Sequence, residues 1–185
     1  MLLVLAPEAL GGIIPFGLRI RRAEERDLPR VMEIERSSFS SPWPETLLRS
    51  YLGEEGFMVG EEEGRVVGYI LVGLRVPSFF SRLERRTRLL FHRDREEDQD
   101  PDLQVGHVMN LAVDPPYRHR GLGGQLLQAG LDCLRRLGAR RVELEVRTRN
   151  EEAIRLYRRF GFSITRLISR YYSDGDDAYL MVRPL

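Results

Sequence analysis

From residue 18 onward the apolar positions keep two different rhythms, and the places where one gives way to the other divide the chain into elements. LRIRRA (18–23) alternates, as a strand with one buried face does. Leu28, Val31, Met32 and Ile34 then recur at helical spacing behind Asp27, which stands where an N-cap belongs. SFSSPWPE (38–45) breaks that helix, and Pro44 suits the first turn of a second, short one carrying Leu47, Leu48, Tyr51 and Leu52 up to Gly53. FMVGEEEGRVVGYILVGL (57–74) predicts a hairpin, two strand-like runs about an acidic, glycine-containing turn.

Further along, GHVMNLAV (106–113) reads as a buried strand. Between Gly121 and Leu137 the spacing predicts a helix: Leu126, Gly130, Cys133 and Leu137 make one row, Leu127, Leu131 and Leu134 the next, and Gly138 ends it. RRVELEV (140–146) is another strand, and EEAIRLYRRF (151–160) another helix, opened by Asn150 and closed by Gly161. FSITRLISRYY and DAYLMVRP predict two strands around an SDGD hairpin turn. The order is strand, two helices, three strands, helix, strand, helix, two strands. A mixed α/β fold follows, with strands 106–113 and 141–146 parallel because a helix separates them.

A chain of 185 residues with 42% hydrophobic content suits one well-buried domain, placed at residues 18–185. The opening MLLVLAPEALGGIIPFG lacks a basic start and is interrupted by Pro7, Gly11, Gly12 and Pro15, so residues 1–17 read as an N-terminal extension of a cytoplasmic protein. Residues 77–103 are charged and poor in pattern, an insertion loop. A net charge of +1, from 29 basic and 28 acidic residues, offers no global attraction for nucleic acid or a membrane. Any anion site must be local. Cys133, on the apolar stripe of its helix, reads as a buried thiol rather than a nucleophile.

The local candidate is VDPPYRHRGLGGQLL (113–127), where a strand ends, a short basic loop follows and a helix begins. Free backbone amides and the positive end of the helix dipole converge there. Gly121, Gly123 and Gly124 let a backbone approach an anion, and Arg118, His119 and Arg120 can add charge from the rim. A diphosphate suits this cradle. The GxGxxG dinucleotide fingerprint fails because Leu126 stands where its third glycine belongs. A P-loop fails too, since the chain has no lysine and that motif needs one.

V-x-P-x-x-R-x-x-G-x-G, here Val113, Pro115, Arg118, Gly121 and Gly123, resembles the pyrophosphate loop of the GNAT superfamily of N-acetyltransferases. LEVRTRN (144–150) and AIRLYRRFGF (153–162) follow at the family's spacing, and the resemblance covers residues 18–185. Within the superfamily, GHVMNLAV, LEVRTRN and YYSDGDDAYLMVRPL resemble the protein Nα-acetyltransferases, both the bacterial ribosomal-protein-alanine enzymes and their archaeal counterparts; SPWP (41–44) resembles the bacterial branch. The GNAT fold so implied is a mixed, mostly antiparallel sheet with one parallel, splayed strand pair and about four flanking helices.

The resemblance implies direct transfer of acetyl from acetyl-CoA to an amine, with no metal. It assigns cofactor contacts to Leu111, Ala112 and Val113, to the loop residues Arg118, His119, Arg120, Gly121, Leu122, Gly123 and Gly124, and to Asn150 and Tyr157. Glu145 and His107 match polar positions that deprotonate the amine, and Tyr157 matches the acid that protonates the thiolate. A phenol near pKa 10 is a reasonable acid for a thiolate whose conjugate acid lies near about 8.5. Glu145 also fits an ordinary outward strand carboxylate, since Glu143 alternates with it. Tyr171 and Tyr172 on one side, and Phe39 and Trp43 on the other, resemble the walls of the acceptor site.

The implied acceptors are N-termini of proteins or nascent chains, ribosomal proteins among them. An α-amino group is about a tenth neutral at pH 7, a lysine amine only about 0.04%. A modest base therefore suffices for an N-terminus. Two other functions stay open on sequence: acetylation of a lysine or small-molecule amine, and a CoA-binding regulatory module without turnover. Oligomeric state is equally open.

Overall fold

The computed structural model describes residues 18–75 and 104–185; the expectations for 1–17 and 77–103 lie outside the described residues. Seven strands form one sheet: β1 (Arg19–Arg22), β2 (Phe57–Glu62), β3 (Arg65–Leu74), β4 (Val105–Val113), β5 (Arg141–Arg147), β6 (Ser163–Ile168) and β7 (Ala178–Pro184). Their order is β1-β2-β3-β4-β5-β7-β6, and only β4 and β5 run parallel. Among the described residues four helices flank the sheet: α1 (Leu28–Ser38), α2 (Glu45–Ser50), α3 (Leu122–Arg136) and α4 (Glu151–Arg159). This is the mixed sheet with four helices that the GNAT resemblance implies.

Two apolar cores lie on opposite faces of the sheet. On one, Leu126, Leu127, Leu131, Cys133 and Leu134 of α3 and Ile154 and Tyr157 of α4 pack on Ile70, Val72, Val108, Val142, Leu144 and Val146. Gly130 is what lets α3 come this close, because a methyl there would stand 2.7 Å from Ile70 Cδ1. On the other face, Leu28, Val31, Met32 and Ile34 of α1 and Leu48 of α2 cover Val59, Tyr69, Leu71 and Ala112. Alternation along β5 separates the two: Val142, Leu144 and Val146 enter the α3 core, so Glu143, Glu145 and Arg147 face the α1 side.

Two local expectations are corrected. Asp27 occupies the N-cap position of α1, but its carboxylate accepts instead from the Glu24 amide (2.8 Å) and from Arg21 (2.6 and 2.8 Å), so it caps the preceding 3-10 turn. The C-terminal strands do not meet in a tight SDGD turn. β6 stops at Ile168, Arg170 takes a left-handed φ of 51°, and residues 169–177 form a longer loop that holds Tyr171 and Tyr172.

Candidate active site

Strand β4 carries one residue more than its partner. Val72 pairs with Val108 and Leu71 with Asn110, so Met109 is an inserted residue that bends the strand. The β4–β5 pairing covers only Val105–His107 against Arg141–Glu143, after which β5 continues with β7 alone. A gap therefore opens between two parallel strands. The Asp114 amide bonds to the Val67 carbonyl at 2.9 Å, and by antiparallel alternation the backbone groups of Leu111 and Val113 turn away from β3 toward this gap. Unpaired strand edge of this kind can take an extended amide-bearing chain.

At the head of the gap lies the start of α3. Gly121 holds φ 79° and ψ 0°, a left-handed conformation that disfavours a side chain. The amides of Gly124 and Gln125 both bond to the Gly121 carbonyl, so those of Leu122 and Gly123 precede the first helical bond and carry the positive end of the dipole. Methyl groups on Gly123 or Gly124 would meet Leu156, Val113 and Phe160 at 3.5–3.8 Å, ordinary contact. Internal packing does not demand those two glycines.

The three basic residues of the loop part company. Arg118 folds inward, donating to the Val113 carbonyl (2.9 Å) and Ser38 Oγ (3.0 Å). Arg120 donates to both oxygens of Glu62 (3.0 and 2.7 Å) and lies over the Tyr117 ring. His119, 3.4 Å from Glu152, shares an open cleft with Arg155, Arg158 and Arg159 of α4, cations the sequence reading left unassigned. Asn150 caps α4, its Oδ1 accepting from the Ala153 amide at 3.1 Å.

On the α1 side of the same gap, His107 Nε2 and Glu145 Oε2 are 2.7 Å apart, though 38 positions separate them. Burial pushes the Glu145 carboxyl up, but the His107 hydrogen bond and the charges of His107 and Arg75 outweigh it and hold the group below the ordinary carboxylate range. Tyr157 sits on the opposite face, in the α3 core, edge-on to Phe162 at 5.8 Å. Burial, and then the field of Tyr172, push its phenol well above 10, so it stays protonated across the physiological range and is a weaker acid than the free phenol assumed from the sequence. The His107–Glu145 pair and the Tyr157 phenol thus lie on opposite faces of the sheet.

The two aromatic loops are tied to each other. Ser41 Oγ lies 3.0 Å from Ser173 Oγ, and Arg147, two residues after Glu145, donates to Ser40 (3.0 Å) and to Asp174 (2.9 Å) and pairs with Asp176. Its guanidinium stacks 3.9 Å from the Tyr172 ring centre. Tyr172 meets Tyr171 edge-on at 5.0 Å, and Tyr171 is exposed. In the other loop Trp43 stacks on Tyr51, and Phe39 packs on the α1 core.

A model of the acetyltransferase (GNAT) family matches residues 28–162, most of the chain. The protein belongs to the GNAT acetyltransferase family. It is similar to an N-alpha-acetyltransferase of Sulfurisphaera tokodaii, 36% identical over 170 residues that cover 90% of this chain and 93% of the relative. It is also similar to the ribosomal protein bS18-alanine N-acetyltransferase of Escherichia coli, 29% identical over 171 residues covering 90% and 97%. Among solved structures, Ard1 from Thermoplasma volcanium superposes with a TM-score of 0.73 at 29% identity, covering 91% of this chain and 97% of that one. Membership makes the protein an acyltransferase, and the strand gap and helix start are where the family's chemistry has to be sought.

Three further residues shape the site without having been singled out from sequence. Glu35 of α1 is fully buried and accepts from the Tyr69 hydroxyl, the Trp43 amide (2.7 Å) and Asn110 Nδ2 (3.3 and 3.4 Å). It ties the Trp43 loop to β3 and to the bent part of β4. Its signal was present, because 28, 31 and 35 share one helical face and a carboxylate on that apolar stripe demands partners. Arg147 stands within LEVRTRN, and only the folded loop shows its partners. Arg75 gave no signal at all.

Proposed function

We propose that the protein is an Nα-acetyltransferase, moving acetyl from acetyl-CoA to the free α-amino group of protein N-termini by direct attack within a ternary complex. The observation that carries this reading is the His107–Glu145 pair at the mouth of the β4–β5 gap, with Arg147, two residues after Glu145, joining the Trp43 and Tyr172 loops. The residues around the gap fit the cosubstrate: the turned backbone of Leu111 and Val113 with Ala112 between them, the amides of Leu122 and Gly123, and the cations of the His119 cleft.

Acetyl-CoA supplies the acetyl group as a thioester. Leu111 and Val113 hold the amide-bearing arm as a further strand, and the helix start with Gly121, Gly123 and Gly124 receives the diphosphate. The amine proton passes to the Glu145–His107 pair as the N–C bond forms. Tyr157 gives its proton to the sulfur as the C–S bond breaks. Trp43, Phe39, Tyr171 and Tyr172 contact the first residues of the acceptor. The names of the archaeal and bacterial relatives support the same assignment, with ribosomal proteins among the candidate acceptors.

Initial rates on short peptides test it. Peptides with a free N-terminus are expected to be acetylated, and the same peptides blocked at the N-terminus are not. Turnover confined to polyamines or to lysines of blocked peptides would overturn the proposal, and binding of acetyl-CoA with no turnover on any amine would leave a binding module.

A further inference from the structure

We propose that Arg75 is a positioning residue of this acceptor site: together with Arg141 it neutralises the Glu143–Glu145 carboxylate pair, and it keeps Glu145 on His107 and lets the acceptor amine enter uncharged. The proposal deepens the acetyl-transfer reading and rests on it for its kinetic arm.

Arg75 follows β3, where its amide still bonds to the Val105 carbonyl at 2.7 Å and so holds sheet register. From there its side chain crosses the width of β4. Nη1 reaches Glu143 Oε2 at 2.7 Å and Nη2 reaches Glu145 Oε1 at 3.0 Å. Glu145 therefore presents one oxygen to Arg75 and the other to His107, which fixes the carboxylate plane between them. A bidentate arginine suits this task because its planar fork meets two acceptors at once.

The groups around Glu145 balance. Glu143 and Glu145 are offset by Arg75 and by Arg141, whose Nη2 is 3.1 Å from Glu143 Oε1, while His107 faces them from β4. Arg147 and Arg149 are matched by Asp174 and Asp176, Tyr172 approaches from the 169–177 loop, and β7 places Leu180 opposite Glu145 in the register. With neutral His107 the local charge is near zero. An ammonium gains nothing from such a site over a free amine. Without Arg75 one net negative charge remains beside His107 and the acceptor. That charge favours imidazolium and ammonium over their neutral, reactive forms.

Arg75 is about half exposed, with 48% of its side-chain surface accessible, so solvent weakens the effect to about one pH unit. One unit at the amine is a tenfold change in its neutral fraction below its pKa. Arg75→Gln is thus expected to lower kcat/KM for peptide about tenfold at pH 7, to regain it near pH 9, and to leave the KM for acetyl-CoA unchanged. Arg75→Lys, which keeps the charge and loses the fork, should fall between.

A substrate-free measurement tests the charge argument separately. The His107 imidazole is titrated by NMR in wild type, Arg75→Gln and Arg75→Lys, with His107→Gln identifying its signal. The expected result is a midpoint about one unit higher in Arg75→Gln and near wild type in Arg75→Lys. An unchanged His107 midpoint, or a rate loss equal at every pH, overturns the proposal. Should wild type acetylate no peptide, the Nα reading fails, and the titration still decides the role of Arg75.

Discussion

Replacing Glu35 by alanine should cost the protein much of its stability and loosen the Trp43 loop, one proposed wall of the acceptor site, at the same time. Glu35 is fully buried, and its removal strands the Tyr69 hydroxyl, which is fully buried too, and the Trp43 amide. Each abandoned donor costs about 1–3 kcal/mol, so two of them cost about 4 kcal/mol. The Asn110 contacts, at 3.3 and 3.4 Å, add little. For a chain of this size each kcal/mol lowers Tm by about 2–4 °C, giving a fall of about 8–16 °C. Calorimetry measures it directly. Kinetics below the new Tm should show a higher KM for peptide, because Trp43 is no longer tethered, with the KM for acetyl-CoA unchanged. A Tm within 2 °C of wild type would refute the idea that Glu35 holds the loop.

Tyr157→Phe keeps the edge-on contact with Phe162 and removes only the hydroxyl proposed as the proton donor, so kcat should fall about 100-fold with little change in Tm, checked by stopped assays and thermal melting. Leu131→Ala opens a cavity under α3 in a fully buried position and should lower stability by about 2–5 kcal/mol in denaturant titration, with kcat of the folded fraction retained. For pH, the Glu145 carboxyl is held below its ordinary value in the fold; its contribution to stability is present above the unfolded value of about 4.5 and is lost as pH falls through the folded one. Comparing Tm of wild type and Glu145→Gln between pH 3 and 7 should show the difference shrinking toward acid; a difference constant with pH would contradict it.

The long helices were legible because burial imposes a 3.6-residue stripe, and Gly138 and Gly161, at φ 87° and 82°, end them where the sequence says they should. The parallel pair was legible because a helix between two strands demands a crossover. Met109 was not: in GHVMNLAV one inserted residue within a continuous apolar run leaves no break in pattern, yet it opens the gap. The placement of β7 between β5 and β6 depends on which strand edge is free after folding, which local pattern does not encode. His107 and Glu145 entered as candidates through family resemblance, and their 2.7 Å contact then came from the register of β4 on β5. Arg118 and Arg120 show the reverse. Their charge suited the anion cradle in sequence, but Ser38, Val113 and Glu62 take their guanidinium groups in the fold.

One peptide with a free N-terminus and an internal lysine, incubated with the protein and acetyl-CoA at pH 7 and read by tandem mass spectrometry, places both amines in direct competition. At that pH the α-amine is about a tenth neutral and the lysine about 0.04%. The acetyl group is expected on the α-nitrogen, with no product from the N-terminally blocked peptide. Acetyl on the lysine in both peptides would contradict the account.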